Sequence, residues 1–129
     1  AGLAVSATDS LTAVQTRPRM LREFCAEAFA ECDVLHAPTF DMPVPSIEET
    51  DMSDRQGFAA LLARLSRCTR PINYLALPSL SVPAGFTANG CPASMQLIGK
   101  PFAEATPYRA GAALEAVTDF AALAPELPQ

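Results

Sequence analysis

The sequence has few charged residues and few side chains that could bind a metal or transfer a proton. Only 18% of its 129 residues are charged, against about 25% in typical globular proteins, and it has one histidine and one lysine, His36 and Lys100. Its cysteines form no C-x-x-C motif and lie near no histidine pair; they are Cys25, Cys32, Cys68 and Cys91. Since zinc needs clustered ligands, we predict no metal site and no cofactor, and we predict reduced, buried cysteines in a cytoplasmic protein.

Basic side chains are also too scattered to form a binding stripe. The formal net charge is −5 at pH 7. An acidic chain without a basic stripe repels phosphate backbones and anionic lipids. We therefore predict that neither a nucleic acid nor a membrane is a partner.

Charge is absent from all 29 residues between Arg70 and Lys100. So long an uncharged run could be a transmembrane helix. Its prolines exclude that interpretation because each removes a backbone donor and breaks a helix; they are Pro71, Pro78, Pro83 and Pro92. The pattern predicts a pair of short buried strands instead, and the second strand contains the uncharged polar residue Gln96.

Apolar spacing in the first half of the chain predicts two helices separated by a strand and a loop. Residues 1–15 can be native helix or a loose segment. The predicted elements are a helix from Asp9 to Asp33 that is interrupted at Pro18 and has Thr16 as the N-cap of its stronger part, a strand at 34–37, a long loop at 39–55, and a helix from the Ser53–Gln56 capping box to Pro71.

The second half predicts a β-hairpin and a final helix. Its elements are a strand at 79–85, a turn at Asn89–Gly90, a return strand at 93–98 and a helix that Thr106–Pro107 opens and that ends near Asp119. The order is therefore α-β-α-β-β-α. By length the 129 residues form one domain, and helices packed on a mixed sheet indicate the α/β class.

Isolated candidates for chemistry have simpler structural explanations. His36 is the only histidine, so a Ser-His-Asp triad would have to use it, and we reject that triad because a structural histidine in an apolar strand is far more common. Cys91 has no basic neighbour in sequence that would activate its thiol, so the sequence gives little support to a nucleophilic role. A solvated acidic loop explains the carboxylates Glu48, Glu49, Asp51 and Asp54 better than a metal or acid–base site does.

Ordered motifs in this chain resemble the C-terminal part of the amidase signature family. The resemblance covers roughly residues 16–118. The motifs are Cys32-Asp33-Val34-Leu35-x-x-Pro38-Thr39, Thr69-x-Pro71-x-Asn73-x-x-x-Leu77-Pro78-x-x-Ser81-Val82-Pro83-x-Gly85, Gly90-x-Pro92-x-x-x-Gln96-Leu97-Ile98-Gly99 and Lys100-Pro101-Phe102-x-Glu104.

The resemblance implies hydrolysis of a carboxamide by a serine nucleophile, with a second serine on a cis peptide bond and a lysine. In the family the serines lie in a Gly-Gly-Ser-Ser-Gly stretch, whereas no two glycines are adjacent here. Ser79 and Ser81 fall in a strand, and Lys100 lies in a segment that the family does not use for catalysis. The chain is thus expected to contain no catalytic residue, to be inactive alone, and to depend on the rest of its own amidase chain and a small-molecule amide.

Four residues are candidates for substrate binding: Ser66, Thr69, Asn73 and Gln96. The first three follow from the resemblance, whereas Gln96 follows from its amide in an apolar strand and would either line the pocket or orient the catalytic loop of the upstream part. In the family, the segment around Thr69 passes beside the substrate pocket, and the glutamyl-tRNA amidotransferase branch has an acidic residue at the position of Ser66. A serine there favours a free-standing amidase for a neutral or small amide. The alternatives are equally open: Thr69 and Asn73 close a helix C-terminus, and Gln96 bonds to nearby backbone.

A second hypothesis makes the chain a non-catalytic binding module or companion subunit. Such an independent product would need charged outer faces on all its helices. Alanine is instead the most frequent residue of the helix after Thr106, which suits a face covered by a partner. We therefore expect some self-association through exposed apolar surface.

Overall fold

A computed structural model describes residues 4–120 and residue 123. Its elements are α1 (Ala7–Ala28), β1 (Val34–Pro38), α2 (Arg55–Leu65), α3 (Arg70–Leu75), β2 (Ser79–Phe86), β3 (Pro92–Gly99) and α4 (Ala105–Glu115), with a 3₁₀ turn at Glu48–Thr50. The α/β class and the predicted order of elements are confirmed, and α3 is an additional short helix. None of the described helices is both long and apolar enough to span a bilayer.

The three strands form one sheet in the order β1-β3-β2. Both pairings are antiparallel, where we expected a mixed sheet. The predicted hairpin between β2 and β3 is present, and Gly90 in its turn has a φ of 81°, which glycine adopts without steric cost. In the resulting register Gln96 lies opposite Ala37 on β1 and Ser81 on β2, at the centre of the sheet.

Helices cover both faces of this sheet. Cross-strand partners share a face, so Gln96, Ala37 and Ile98 lie on one side and Leu97 on the other. The first side packs against α1 and α3, with a buried cluster of Phe29, Ile72, Leu75, Leu77 and Ile98. The second side packs against α4, which approaches closely at Gly111.

Helix α1 is continuous where we predicted an interruption. It begins at Ala7, its N-cap Ser6 accepts the N–H of Asp9 at 3.0 Å, and it runs through Pro18. The helix tolerates Pro18 because the apolar stripe beyond the proline packs on the core. Before the proline, the hydroxyl of Tyr74 on α3 donates to the carbonyl of Ala13 and ties the first part of the helix to α3. Residues 7–15 are therefore helical, Thr16 is not an N-cap, and the helix ends at Ala28 instead of Asp33.

Helix α2 is also capped differently from the prediction. Asp54, not Ser53, is the N-cap, and its Oδ1 accepts the N–H groups of Gln56 and Gly57 at 3.1 Å each. The hydroxyl of Ser53 donates instead to Asp51. A carboxylate one residue nearer the helix can reach two free N–H groups, which outweighs the capping box expected from the sequence.

Two prolines lie in the first turns of helices: Pro71, which we expected to end a helix, and Pro107, which we expected in a first turn, although after Thr106 as the cap. Helix α2 ends at Leu65, and Pro71 lies in the first turn of α3, where its missing N–H has no intrahelical partner to lose. Similarly, α4 begins at Ala105 with Glu104 at the N-cap position, so Pro107 is already inside its first turn. That helix ends at Glu115, earlier than the predicted end near Asp119.

The buried core is small for a chain of this length. Among the described residues seven hydrophobic side chains are buried, and neither α1 nor α2 has a buried residue. Large apolar side chains are exposed instead, including Ile47 at 92% and Phe102 at 95% of their possible surface. Apolar surface of this extent is typical of a segment that contacts another part of a protein, and self-association through it stays a prediction.

Candidate functional site

Gln96 is the buried polar side chain at the centre of the sheet. Only 3% of its surface is exposed, because strands β1 and β2 flank it and helices cover its face. Its Nε2 donates to the carbonyl oxygen of Pro38 at 3.1 Å and to that of Cys68 at 3.0 Å. Its Oε1 accepts a hydrogen bond from the hydroxyl of Ser79 at 3.2 Å. The side chain therefore uses both amide protons and its oxygen within the protein.

These three bonds join segments that are distant in sequence. Pro38 ends β1, Ser79 begins β2, and Cys68 lies in the connection between α2 and α3. The bonds to backbone are those expected from the structural alternative for Gln96. One of them also holds the carbonyl directly before Thr69, so Gln96 positions the connection that contains two of the other predicted site residues.

That connection is a tight turn closed by its own side chains. The hydroxyl of Ser66 donates to the carbonyl of Leu62 at 2.7 Å, and the hydroxyl of Thr69 donates to the carbonyl of Ser66 at 3.5 Å. The carbonyl of Thr69 accepts the N–H of Asn73 at 2.9 Å. The bond from Thr69 is of the kind that the turn-closing interpretation predicts, whereas Asn73 lies inside α3 and its bond is an ordinary backbone bond of that helix. Their role in substrate binding stays a prediction.

An open depression of about 620 Å³ lies on the outer side of the turn. Ser66 and Thr69 contribute its hydroxyl groups, and Arg70 is the charged residue of its lining within residues 4–120. Its remaining lining is apolar: Phe40, Ala59, Leu62, Ala63 and Leu65. The structure thus brings Ser66 and Thr69 together at one surface and places Gln96 behind them. Asn73, which is exposed one turn further along α3, is not part of this lining.

Arg70 is the residue of this surface that the sequence analysis missed. It lies between two residues of a quoted motif, Thr69 and Pro71, and is the last charge before the uncharged run. Its guanidinium donates through Nη2 to the hydroxyl of Ser66, one turn earlier. A cation next to two hydroxyl-bearing candidates was the available signal, but only the fold shows that all three face one depression.

The remaining nucleophile and base candidates lie apart from one another. Ser79 is bonded to Gln96, and the Ser81 hydroxyl lies 3.4 Å from that of Thr39. His36 is exposed and faces the opposite side of the sheet from Gln96, since its register partner is Leu97. The described part of the chain holds no group of three or more histidine, cysteine or acidic residues that could bind a metal ion.

Lys100, the only lysine, forms an ion pair and does not line the depression. Its Nζ lies 2.9 Å from Oδ1 of Asp33, which directly precedes β1. The hydrogen bond and the positive charge of Lys100 lower the pKa of Asp33 below its ordinary value of 3.8, and Arg109 adds a smaller effect in the same direction. The pair connects the end of β3 to the start of β1.

Replacing Lys100 with methionine is expected to raise the pKa of Asp33 towards 3.8. Because the folded pKa is the lower one, ionised Asp33 stabilises the fold above pH 3.8, and this contribution is lost as the pH falls through the folded pKa. The wild type should therefore lose more stability on acidification than Lys100→Met. NMR titration of the Asp33 carboxyl carbon measures the shift.

Asp51 is an internal control for this titration. Hydrogen bonds from the backbone and hydroxyl of Ser53 lower its pKa, and Lys100 plays no part in that shift. The Asp51 midpoint should therefore be the same in both proteins. An unchanged Asp33 midpoint in Lys100→Met would show that the ion pair does not form in solution.

Comparisons with known proteins place this chain among amidases. The family model described as Amidase matches residues 2–106. A glutamyl-tRNA(Gln) amidotransferase subunit of Streptococcus mutans serotype c is 42% identical over 107 residues, which are 82% of this chain and 20% of that protein. Fatty acid amide hydrolase of Medicago truncatula is 36% identical over 110 residues, 85% of this chain and 18% of the hydrolase.

A solved structure titled "Crystal structure of amidase" has a similar fold. The TM-score is 0.67 at 26% sequence identity, and the match covers 92% of this chain and 27% of the other. The chain thus spans about a fifth of the length of the curated relatives it matches. With a family match over most of its length and two independent kinds of relative, this chain belongs to the amidase family.

Proposed function

We propose that this chain is the C-terminal part of a cytoplasmic amidase that hydrolyses a carboxamide to a carboxylate and ammonia or an amine. A serine in the upstream part of the protein attacks the amide carbonyl, the amine leaves with a proton, and water then hydrolyses the acyl-enzyme. This chain supplies a wall of the substrate pocket and no catalytic group.

The observation that carries this proposal is the depression beside the turn at Ser66 and Thr69. It is wide open and mainly apolar, with polar groups from Ser66, Thr69 and Arg70, as expected for one wall of a pocket whose other walls lie elsewhere. The family match and the small share of each relative that this chain covers support the same assignment. The exposed apolar side chains give the upstream part a surface to contact.

Gln96 acts in this proposal as a positioning residue. It holds the Cys68 carbonyl against the centre of the sheet, and this fixes the backbone of Thr69 directly after it. Without that bond the wall would be tied to the sheet only through its flanking helices. Asn73, on the exposed side of α3, would contact substrate only at the edge of the completed pocket.

Ser66 favours an amidase that acts by itself over a transamidation subunit. The resemblance implies an acidic residue at this position in the glutamyl-tRNA amidotransferase branch, where it suits the amino group of glutamine. The serine hydroxyl here is already bonded to Leu62 and Arg70 within the protein. This hydroxyl is neutral, so it offers no negative charge to a substrate ammonium group.

The 129-residue chain alone is expected to hydrolyse no amide, whereas the protein that includes the upstream amidase region hydrolyses primary amides. Release of ammonia from a panel of aliphatic and aromatic amides measures the activity of the 129-residue chain and of the longer protein. In the longer protein Ser79→Ala and Ser81→Ala should leave kcat nearly unchanged, because neither serine is the nucleophile. Hydrolysis by the isolated chain that survives both substitutions would contradict the proposal. An inactive longer protein would favour the companion-subunit hypothesis.

A further inference from the structure

Among the residues that the structure describes, Arg70 is the one charged residue that lines the depression. Its backbone N–H donates to the carbonyl of Ser66 at 2.8 Å, and its guanidinium donates to the hydroxyl of the same residue. Gln96 holds Cys68, two residues earlier, against the sheet. The segment that leads into Arg70 is therefore held both by its own hydrogen bonds and by the sheet, which lowers the entropic cost of binding a ligand there.

No carboxylate in the described part of the chain neutralises Arg70. Arg67, one turn earlier, pairs with Asp41 at 3.2 Å, and Lys100 pairs with Asp33. Ser66 is a neutral partner, so the charge of Arg70 remains. A guanidinium has five N–H donors, and one bond to a hydroxyl leaves enough of them for a two-point contact with a carboxylate.

We propose that Arg70 selects amides that carry a carboxylate, separated from the reacting amide by an apolar chain that lies along Phe40 and Leu62. This inference rests on the proposed amidase function and specifies its substrate class. It replaces the neutral or small amide that Ser66 by itself suggests. The serine has two effects at this position: it removes the negative charge that would repel a carboxylate, and it orients the guanidinium that binds one.

The test compares adipic acid monoamide with hexanamide, which has the same number of carbons but a methyl group in place of the carboxylate. The longer protein that contains the upstream region is used. We expect a kcat/KM about 10- to 100-fold higher for adipic acid monoamide, the range of a charge-assisted hydrogen-bonded contact. Arg70→Gln should abolish this preference by lowering kcat/KM for the acidic amide alone, mainly through KM.

Two matched variants separate recognition from general charge. Arg67→Gln removes an equal charge three residues before Arg70. The guanidinium of Arg67 is already paired with Asp41, so the preference for the acidic amide should persist in this variant. Arg70→Lys keeps the charge without the planar two-point geometry and should keep part of the preference. The preference of the wild type should also fall as the salt concentration rises.

Each alternative outcome is distinct. If hexanamide is hydrolysed as well as the acidic amide, or if Arg70→Gln slows both equally, Arg70 contacts another part of the protein; the inference then fails while the amidase function stands. If the protein hydrolyses no amide, the proposed function fails. Binding of hexanoate then tests whether Arg70 forms a carboxylate site. NMR shifts of the Arg70 Nε–H on addition of hexanoate, absent with hexanamide, would support a carboxylate site, and their absence would overturn it.

Discussion

Replacing Gln96 with glutamate is expected to lower the free energy of unfolding by about 3–5 kcal/mol at neutral pH, the range for an unpaired buried charge. The substitution keeps the size of the side chain but replaces the Nε2 amide group, which donates two hydrogen bonds, with a carboxylate oxygen. That oxygen would face the carbonyl oxygens of Pro38 and Cys68, which now accept bonds of 3.1 and 3.0 Å. Urea unfolding of the 129-residue chain measures the loss.

A graded series shows whether the bonds or the volume of Gln96 cause this effect. Gln96→Met keeps the length without any charge and should cost about 1–3 kcal/mol, since two carbonyls lose a donor. Ser79→Ala removes only the bond to Oε1 and should cost about 1 kcal/mol or less. Equal stability of the glutamate and methionine variants would contradict the hydrogen-bond assignment.

The same variants test the positioning role in the longer protein. Gln96→Met should raise KM with a smaller effect on kcat, because it loosens the wall at Thr69 and leaves the nucleophile in place. Ser79→Ala should leave KM nearly unchanged, since the bond to Cys68 persists. A fall in kcat alone would place the effect of Gln96 elsewhere.

Replacing Gly99 with alanine is expected to destabilise the chain by about 1–3 kcal/mol. An added Cβ would lie 2.8 Å from Cγ and 2.9 Å from Cδ of Pro107, and 3.4 Å from the carbonyl oxygen of Ala103. Pro107 is buried in the first turn of α4, and its ring cannot rotate away. Helix α4 would therefore have to move off the end of β3. The shift of the urea midpoint measures the cost.

Gly111→Ala is the matched control for this close approach. Its Cβ would lie 2.7 Å from Cδ2 of Leu80, which is the end of a flexible side chain, and alanine in a helix gains about 1 kcal/mol over glycine. We expect a net change of about 1 kcal/mol or less. Pro107→Ala should recover most of the stability lost in Gly99→Ala, and simple additivity of the two would contradict the proposed contact.

Local sequence signals predicted the strands and the hairpin well. The strand at 34–37, the Asn89–Gly90 turn and the return strand at 93–98 all appear within one residue of their predicted bounds. Each depends on short-range chemistry: an apolar run before a proline, a turn dipeptide that accepts positive φ, and an uncharged extended segment. The α1 stripe that contains Leu21, Phe24 and Cys25 also packs on the core as its spacing predicted.

Helix ends were predicted less well because contacts from elsewhere decide them. Pro18 by itself should break α1, yet the helix continues through it, with packing on the core after the proline and the Tyr74 bond to Ala13 before it. A proline is compatible both with the residue after a helix and with the first turn of a helix. We predicted the first for Pro71, and in the structure it lies in the first turn of α3. At α2 we predicted only Ser53 as the cap, and the carboxylate of its neighbour Asp54 forms the N-cap instead.

By itself, the sequence determined the family, the α/β class and the need of Gln96 for hydrogen-bond partners, because motifs and the cost of burying an amide are local properties. Only the tertiary structure decided which groups those partners are. It brings Pro38, Cys68 and Ser79 around one side chain from positions up to 58 residues away. It also decided that Arg70 shares a depression with Ser66 and Thr69, since side-chain direction depends on how α2 and α3 meet above the sheet.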